Sequence, residues 1–477
     1  MTDGGGLAAL EARVAADLEA LGLPRPNWVK PHHLPDGALV HDVVVVGAGM
    51  AGLAATFALQ CVGITNVATI DQAEAGREGP WVTYARMETL RTPKHFPGPA
   101  LGVPSLTFRA WYEARSGAGA YAALGKAPRA VWMDYLVWYR KVLALPVTSA
   151  AALRGIGPDR GVLRLEVERA GAIRPLWARR VVLATGREGF GGFRVPAVLA
   201  ALPADRVSHT GEAIDFARLK GRQIAVLGGG ASAVDNAACA LEAGAAAVHM
   251  FLRQPAMPRI HKFLPFAHPG FVHGFATASD AQRWRAILVP TQAGVPPPRD
   301  SLLRCTRHAA FRLHPGAAWH TAALENGAIV ADTGAGRFVL DHVIAATGFR
   351  VDIAAVPELA ALAPHVALWR DRYAPPAGEE HEEMGRYPYL RPDFALQEKI
   401  AGDAPWLSAI RVFSNAATQS LGFISSDVPG LSEGAARLAA GLAADLFGED
   451  AGAYVADLAA FDVAELQGDE CPPDPGE

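Results

Sequence analysis

Val43-Val44-Val45-Val46-Gly47-Ala48-Gly49-Met50-Ala51-Gly52 is the stretch that decides how this chain folds. Four consecutive valines make a strand buried on both faces, and a glycine-rich turn follows at once. From Met50 the pattern becomes helical, and a second apolar strand ends at Ile70, just before Asp71. Strand, turn, helix and strand open a parallel βαβ unit. Val43 to Val62 carries no charge over twenty residues, long enough by count alone to span a bilayer. The glycines break that run after four valines, so a soluble fold is expected and no membrane span. The start, Met1-Thr2-Asp3-Gly4-Gly5-Gly6, has no basic segment, and no secretory signal is expected either.

The same order of signals returns further on. Ile224 to Leu227 is a second buried strand, Gly228-Gly229-Gly230-Ala231-Ser232-Ala233 its turn, Val234 to Leu241 the helix, and Val248 to Leu252 the next strand. Each copy closes on the same strand end: Val181-Val182-Leu183 runs into Ala184-Thr185-Gly186, and Val343-Ile344-Ala345 into Ala346-Thr347-Gly348. Asn326-Gly327 is a hairpin turn signal inside the second copy. The reading is α/β, with two Rossmann-like dinucleotide-binding domains. An amphipathic helix over Leu7 to Leu21 and a Pro-rich connector occupy 1–38; the first nucleotide domain covers 39–190; the second, inserted in it, covers 191–345; and 346–477 returns to close the first. The tail from Cys471 to Glu477 is expected to be disordered.

Composition narrows the function. The 477 residues carry 44 Lys+Arg against 48 Asp+Glu, a net charge of −4, which leaves no basic field for nucleic acid. Hydrophobic residues at 51% and charged residues at 19% fit two or three buried cores. Cys61, Cys239, Cys305 and Cys471 fall in no CxxC or Cys/His metal spacing, so no dithiol and no metal site is expected. A reducing, cytoplasmic compartment follows, and a homodimer stays open.

The turns differ in what they take. Gly47 permits the tight turn, Gly49 lets a pyrophosphate approach the backbone and Gly52 lets helix pack on strand; the helix N-terminus then faces the phosphates. Gly228 and Gly230 repeat the first two roles, and Ala233 replaces the third glycine. Asp71, twenty-four positions after Gly47, can accept from both ribose hydroxyls, which suits FAD. At the matching place of the second copy stands Leu252, followed by Arg253, and a guanidinium there would pair with a 2′-phosphate, which suits NADPH. A solvated strand-end arginine is the alternative for Arg253.

The paired turns, the two Ala-Thr-Gly ends, Gly79-Pro80-Trp81, Leu90-Arg91-Thr92-Pro93-Lys94 and Trp132-Met133-Asp134-Tyr135-Leu136 resemble the class B flavin-dependent monooxygenases from Asp42 to Leu446. That class holds the flavin-containing, Baeyer-Villiger and N-hydroxylating monooxygenases. The resemblance implies that NADPH reduces FAD, that NADP+ stays bound, and that O2 forms a flavin C4a-(hydro)peroxide which oxygenates a small-molecule substrate. It adds Trp81, Ser232, Thr347 and Gly348 to the nucleotide-binding candidates.

The departures matter as much. Of the FxGxxxH fingerprint only His209 remains, with Pro203, Asp205 and Ala213 at the other places, so His209 is either functional or a polar linker residue. Arg91 stands where flavin-containing monooxygenases have an asparagine before Pro-Lys. It could hold the flavin, stabilise a peroxyanion, receive an anionic substrate, or form a structural ion pair. Asp235 matches an acid of the flavin-containing group, whereas Phe251-Leu252-Arg253-Gln254-Pro255 is similar to a Baeyer-Villiger stretch. Arg299, after Pro296-Pro297-Pro298, lies in the region of the Baeyer-Villiger catalytic arginine or is a solvated loop residue. The expected activity is oxygenation of a nitrogen or sulfur centre, with Arg91 and Arg299 as catalytic candidates. The alternatives are Baeyer-Villiger or other carbon oxygenation, and a flavoprotein that senses or scaffolds.

Overall fold

The computed structural model describes residues 4–467 and 470, so the tail expectation for 471–477 lies outside the described residues. A helix α1 (Gly4–Ala20) buries Leu10 and Val14 in the main core. The first sheet is then laid down by β1 (Val40–Val46), the helix α2 (Met50–Cys61), β2 (Val67–Ile70), the helix α3 (Arg129–Val142) and β3 (Val147–Thr148). An antiparallel meander follows: β4 (Ala151–Asp159), β5 (Val162–Arg169) and β6 (Ala172–Leu183). The strand order is β3-β2-β1-β6-β5-β4. The long β6 gives its first half to β5, antiparallel, and its second half to β1, parallel, with Val46 opposite Leu183. All four valines of the opening stretch are buried, as a strand covered on both faces requires.

A short strand β7 (Gly191–Phe193) leads into the second sheet. Its elements are β8 (Val207–His209), β9 (Gln223–Leu227), the helix α4 (Ala231–Glu242), β10 (Ala247–Phe251), the helices α5 (Asp280–Ala293) and α6 (Arg299–Thr306), and β11 (Phe311–His314). A meander, β12 (Trp319–Glu325), β13 (Ala328–Thr333) and β14 (Gly336–Leu340), precedes β15 (His342–Ala345). The parallel order is β11-β10-β9-β15-β8. Asn326 and Gly327 have φ of 50° and 81° between β12 and β13, the left-handed pair that a two-residue hairpin needs.

The chain leaves the second sheet through β16 (Phe349–Val351), which pairs antiparallel with β7, Phe349 opposite Phe193. β17 (Ile410–Val412) then adds to β6 in parallel, Val412 opposite Leu183, and the helix α7 (Leu431–Ala460) packs on α2. The closing segment therefore completes the first sheet. Arg411 on β17 is fully buried and binds Asp393 at 3.0 Å and Asp445 of α7. A second contact joins the units: Phe271, Phe275 and Trp284, within and before α5, pack on Trp369, Met384 and Tyr389 of the closing segment. Asp280 of α5 accepts from the Tyr389 hydroxyl at 3.0 Å.

Candidate functional site between the two glycine turns

Both turns sit at the carboxyl ends of central parallel strands, where the chain crosses in opposite directions and open α/β sheets bind ligands. Gly47 has φ 101°, and a Cβ on it would lie 2.4 Å from the carbonyl oxygen of Ala184. Gly228 has φ 133°, and its Cβ would meet the Ala346 carbonyl oxygen at the same 2.4 Å. Each Ala-Thr-Gly strand end is thus the backbone wall against which a glycine turn is pressed, which explains why the two motifs recur as a pair. The third position separates them: a Cβ on Gly52 would fall 1.8 Å from the Gly47 oxygen, whereas Ala233 is accommodated and fully buried.

The helices begin at Gly49 and Gly230, and neither has a side-chain cap. Their first N–H groups are left for a phosphate, with the positive end of the helix dipole behind them. Asp71 accepts from Ala48 N–H through Oδ2 and from Ala73 N–H through Oδ1, both at 2.7 Å. These bonds orient the carboxylate across the turn, and each oxygen retains a lone pair for a ribose hydroxyl. Further along the same crevice, Thr185 Oγ1 after β6, and Thr418 Oγ1 and both amide atoms of Gln419 after β17, are buried without a protein partner. Gln419 is only 1% exposed, and an orphaned buried amide requires a polar partner. The uncapped helix, the aimed carboxylate and these orphaned atoms fit FAD. The ring of Trp81 lies 6.3 Å from that of Trp132.

At the second turn Ser232 is exposed in the first turn of α4, and Leu252 is buried against Gly229, so no acid faces the ribose position. Arg253 is exposed and makes no hydrogen bond or ion pair among the described residues. That site fits a nucleotide carrying an extra phosphate. Thr347 and Gly348 are already engaged by the protein. The Thr347 hydroxyl donates to the Arg194 carbonyl, and the Gly348 carbonyl accepts from Arg194 N–H at 2.9 Å.

The catalytic candidates separate. Arg91 meets Asp235 at 3.2 Å across the junction of the two units, Asp235 being 2% exposed on α4. Burial draws the Arg91 guanidinium down and Asp235 draws it back, although 47% of the side chain stays accessible. Arg91 lines a small groove at this junction with Met87, Thr89 and Arg304. Of the four roles open to Arg91, the ion pair is the one the structure displays. Arg299 is not in a loop: the prolines lead straight into α6, whose first residue it is, and it is exposed. The groove that Arg91 shares with this helix is lined by Pro298, Asp300, Ser301 and Arg304 and not by Arg299, so the fold does not bring it to Arg91. A broader surface hollow, at β4, β5 and Pro357 to Ala361, lies at the far edge of the first sheet.

His209 is a structural clamp. It is 2% exposed, lies 3.0 Å from the Gly348 carbonyl through Nε2 and accepts from Gly211 N–H through Nδ1. Its ring stacks on Phe193 at 4.3 Å, and burial lowers its pKa.

Sequence reasoning passed over a charge that acts on Arg91. Arg187 directly follows the first Ala-Thr-Gly end, is exposed, and makes no hydrogen bond or ion pair among the described residues. Its charge is felt by Arg91, Asp427, Tyr84 and Tyr387. Asp427 is exposed, yet the protein around it raises its carboxyl, which Arg187 and Arg91 partly restrain, and burial pushes Tyr84, beside Glu188, up to about 12. The one local signal was the position of Arg187 after the strand end; its neighbours come from four separate segments. Among the described residues there is no cluster able to hold a metal ion, and Cys61, Cys239 and Cys305 are unpaired.

The two nucleotide turns and the junction between them define a flavoprotein of the two-nucleotide type. Residues 44–263 match the pyridine nucleotide-disulphide oxidoreductase family. The chain is 42% identical over 465 residues to the FAD-dependent urate hydroxylase of Xanthomonas campestris, covering 97% of this chain and 98% of that one. It resembles in structure the ornithine hydroxylase of Pseudomonas aeruginosa, with a TM-score of 0.67, 20% identity and coverage of 85% and 99%. It also resembles the ornithine N-hydroxylase of Kutzneria, solved with reduced FAD, NADP+ and L-ornithine, with a TM-score of 0.66, 18% identity and coverage of 85% and 99%. The chain belongs to the class B flavin-dependent monooxygenase family, with the urate hydroxylase as its relative. It is an enzyme that oxygenates a small-molecule centre with FAD and NADPH. No helix among the described residues is long and apolar enough to cross a membrane.

Proposed function

We propose that the protein hydroxylates urate. The observation that carries this is relatedness to a urate hydroxylase along nearly the whole of both chains, which includes the cleft between the two turns. FAD held at the first turn would supply hydride acceptance from NADPH and activation of O2. The balance is urate + NADPH + H+ + O2 giving hydroxylated urate, NADP+ and water.

The chain's own residues supply binding, orientation and exclusion of water. Uncapped α2 and α4 hold the two pyrophosphates, Asp71 the adenosine ribose of FAD and Arg253 the 2′-phosphate of NADPH. The ion pair of Arg91 with Asp235 fixes the α4 end of the second unit over the first. Phe271, Phe275 and Trp284 pack the second unit against the closing segment of the first. Unpaired cysteines fit work in the cytoplasm. The test is NADPH and O2 consumption with and without urate: urate should disappear mole for mole with NADPH. NADPH use that ignores urate and yields only hydrogen peroxide refutes the reading.

A second reading, oxygenation of a nitrogen centre, keeps the same machinery. The structural likeness to two ornithine hydroxylases is what supports it. Hydroxylamine formed from a diamine, with urate untouched, would select it.

A further inference from the structure

We infer that Arg304 is a positioning residue for hydride transfer, the anchor of an electrostatic latch that seats the NADP unit on the FAD unit beside the start of α4. This rests on α4 holding the NADPH pyrophosphate.

The first unit presents three charges to the junction because two of its segments are zipped together. Leu90 N–H donates to the Ala127 carbonyl at 2.8 Å and Arg129 N–H to the Glu88 carbonyl at 3.1 Å, so Glu88, Arg91 and Lys126 form one edge. The second unit meets each with its opposite. Arg304 Nε lies 3.6 Å from Glu88, Asp235 meets Arg91 at 3.2 Å, and Asp300 meets Lys126 at 3.2 Å. The groove left along this seam holds about 30 Å3.

Two members of the latch are buried, Asp235 with 2% and Arg304 with 9% of the side chain exposed, where α6 packs on α4. Arg304 binds Glu242, the last residue of α4, through Nε at 3.1 Å and Nη2 at 2.7 Å. Its remaining nitrogen, Nη1, faces Asp235 Oδ1 at 4.0 Å, and neither atom has a hydrogen-bond partner. Asp235 and Glu242 lie two turns apart on one face of the helix, so a single guanidinium braces α4 lengthwise. The exposed pairs are screened and individually weak, whereas a buried carboxylate left to half-exposed Arg91 alone would be poorly compensated. Arg304 is the fixed cation that completes it. Because Asp235 sits near the start of α4, a slip of the latch carries the helix N-terminus, and the phosphates on it, away from the first unit. A displacement of about 1 Å can slow a reaction about 100-fold.

The test is anaerobic flavin reduction by saturating NADPH in the FAD-loaded enzyme. FAD content, NADP+ affinity and the charge-transfer absorbance of NADP+ with reduced flavin are measured on the same samples. Arg304→Met should slow reduction about 10- to 100-fold and weaken the charge-transfer band while FAD content and NADP+ affinity hold, and Arg304→Lys should recover part of the rate. Lys126 and Asp300 probe the same seam without touching a buried charge. Lys126→Asp or Asp300→Lys alone should slow reduction, and the two together should restore it. A wild-type rate in Arg304→Met overturns the inference, as does a loss of NADP+ affinity that accounts for the whole effect. If neither reversal slows reduction, or the slowing persists in the pair, the latch is overturned as well; this swap decides the matter if Arg304→Met does not fold. Ser232→Glu isolates the underlying reading, since a carboxylate at the pyrophosphate position should abolish NADP+ binding. Unchanged NADP+ affinity there refutes the pyrophosphate site, and the charge swap then decides the latch by itself.

Discussion

Replacing Arg253 by alanine should cost the enzyme its preference for NADPH and nothing else. The structure sets both the size and the selectivity of that loss. Arg253 follows β10 at the place where a dinucleotide's adenosine ribose lies; Leu252 is turned into the glycine turn, so no carboxylate shares the site. Because Arg253 has no ion pair to break, its removal should leave folding untouched. A charge-assisted hydrogen bond contributes about 1.5 to 3 kcal/mol, and exposure to solvent places this one near the lower figure. At 1.4 kcal/mol per decade the change is about 10-fold in NADPH affinity. NADH lacks the 2′-phosphate, so its affinity should not move. Arg253→Lys should recover part of the loss. The assay is NADPH and NADH titration of the FAD-loaded enzyme, with flavin reduction rates at saturating nucleotide as a second readout. An NADPH-over-NADH ratio unchanged in Arg253→Ala, or an equal loss for both nucleotides, would refute the phosphate assignment.

Gly52→Ala places a methyl 1.8 Å from the Gly47 carbonyl and should give protein purified without FAD; a normal flavin content would show that the turn can relax. Asp445→Ala removes one of two carboxylates on fully buried Arg411 and should cost about 3 kcal/mol in urea unfolding, since Asp393 remains; a loss below about 1 kcal/mol would contradict this. Asp42 is 1% exposed at the start of β1, and burial pushes its carboxyl up to about 6. A folded pKa above the unfolded one means that the ionised form opposes folding above pH 6, and that the penalty fades as pH falls to about 4. Asp42→Asn should therefore stabilise the protein by about 2 kcal/mol at pH 8 and by nothing near pH 4; a pH-independent difference would point to packing instead.

What the sequence revealed was local. The valine strands, glycine turns, Ala-Thr-Gly ends and Asn326-Gly327 hairpin each depend on a few consecutive residues, and each lies where those residues put it. Asp71 was readable because its place is counted from Gly47. Arg91 was noticed but not its partner, since Asp235 is 144 residues away and only the docking of two sheets joins them. Arg187 was missed for the same reason: Tyr84, Tyr387 and Asp427 have no fixed spacing from it. Arg299 was misplaced because three prolines signal a loop, although proline just before a helix is equally well tolerated. His209 was left undecided because the aromatic rings that grip it come from β7 and β16, strands too short to announce themselves.

Those two strands have a further consequence. The chain enters the second unit through β7 and leaves through β16, and the pair is zipped together by main-chain hydrogen bonds and pinned by His209. Neither crossing can lengthen or slide alone. The NADP unit is hung on a ribbon rather than on two independent threads, which allows swivelling about one line and resists drifting apart. An enzyme that must bring a nicotinamide to a flavin and then keep the spent nucleotide close is well served by a joint of that kind.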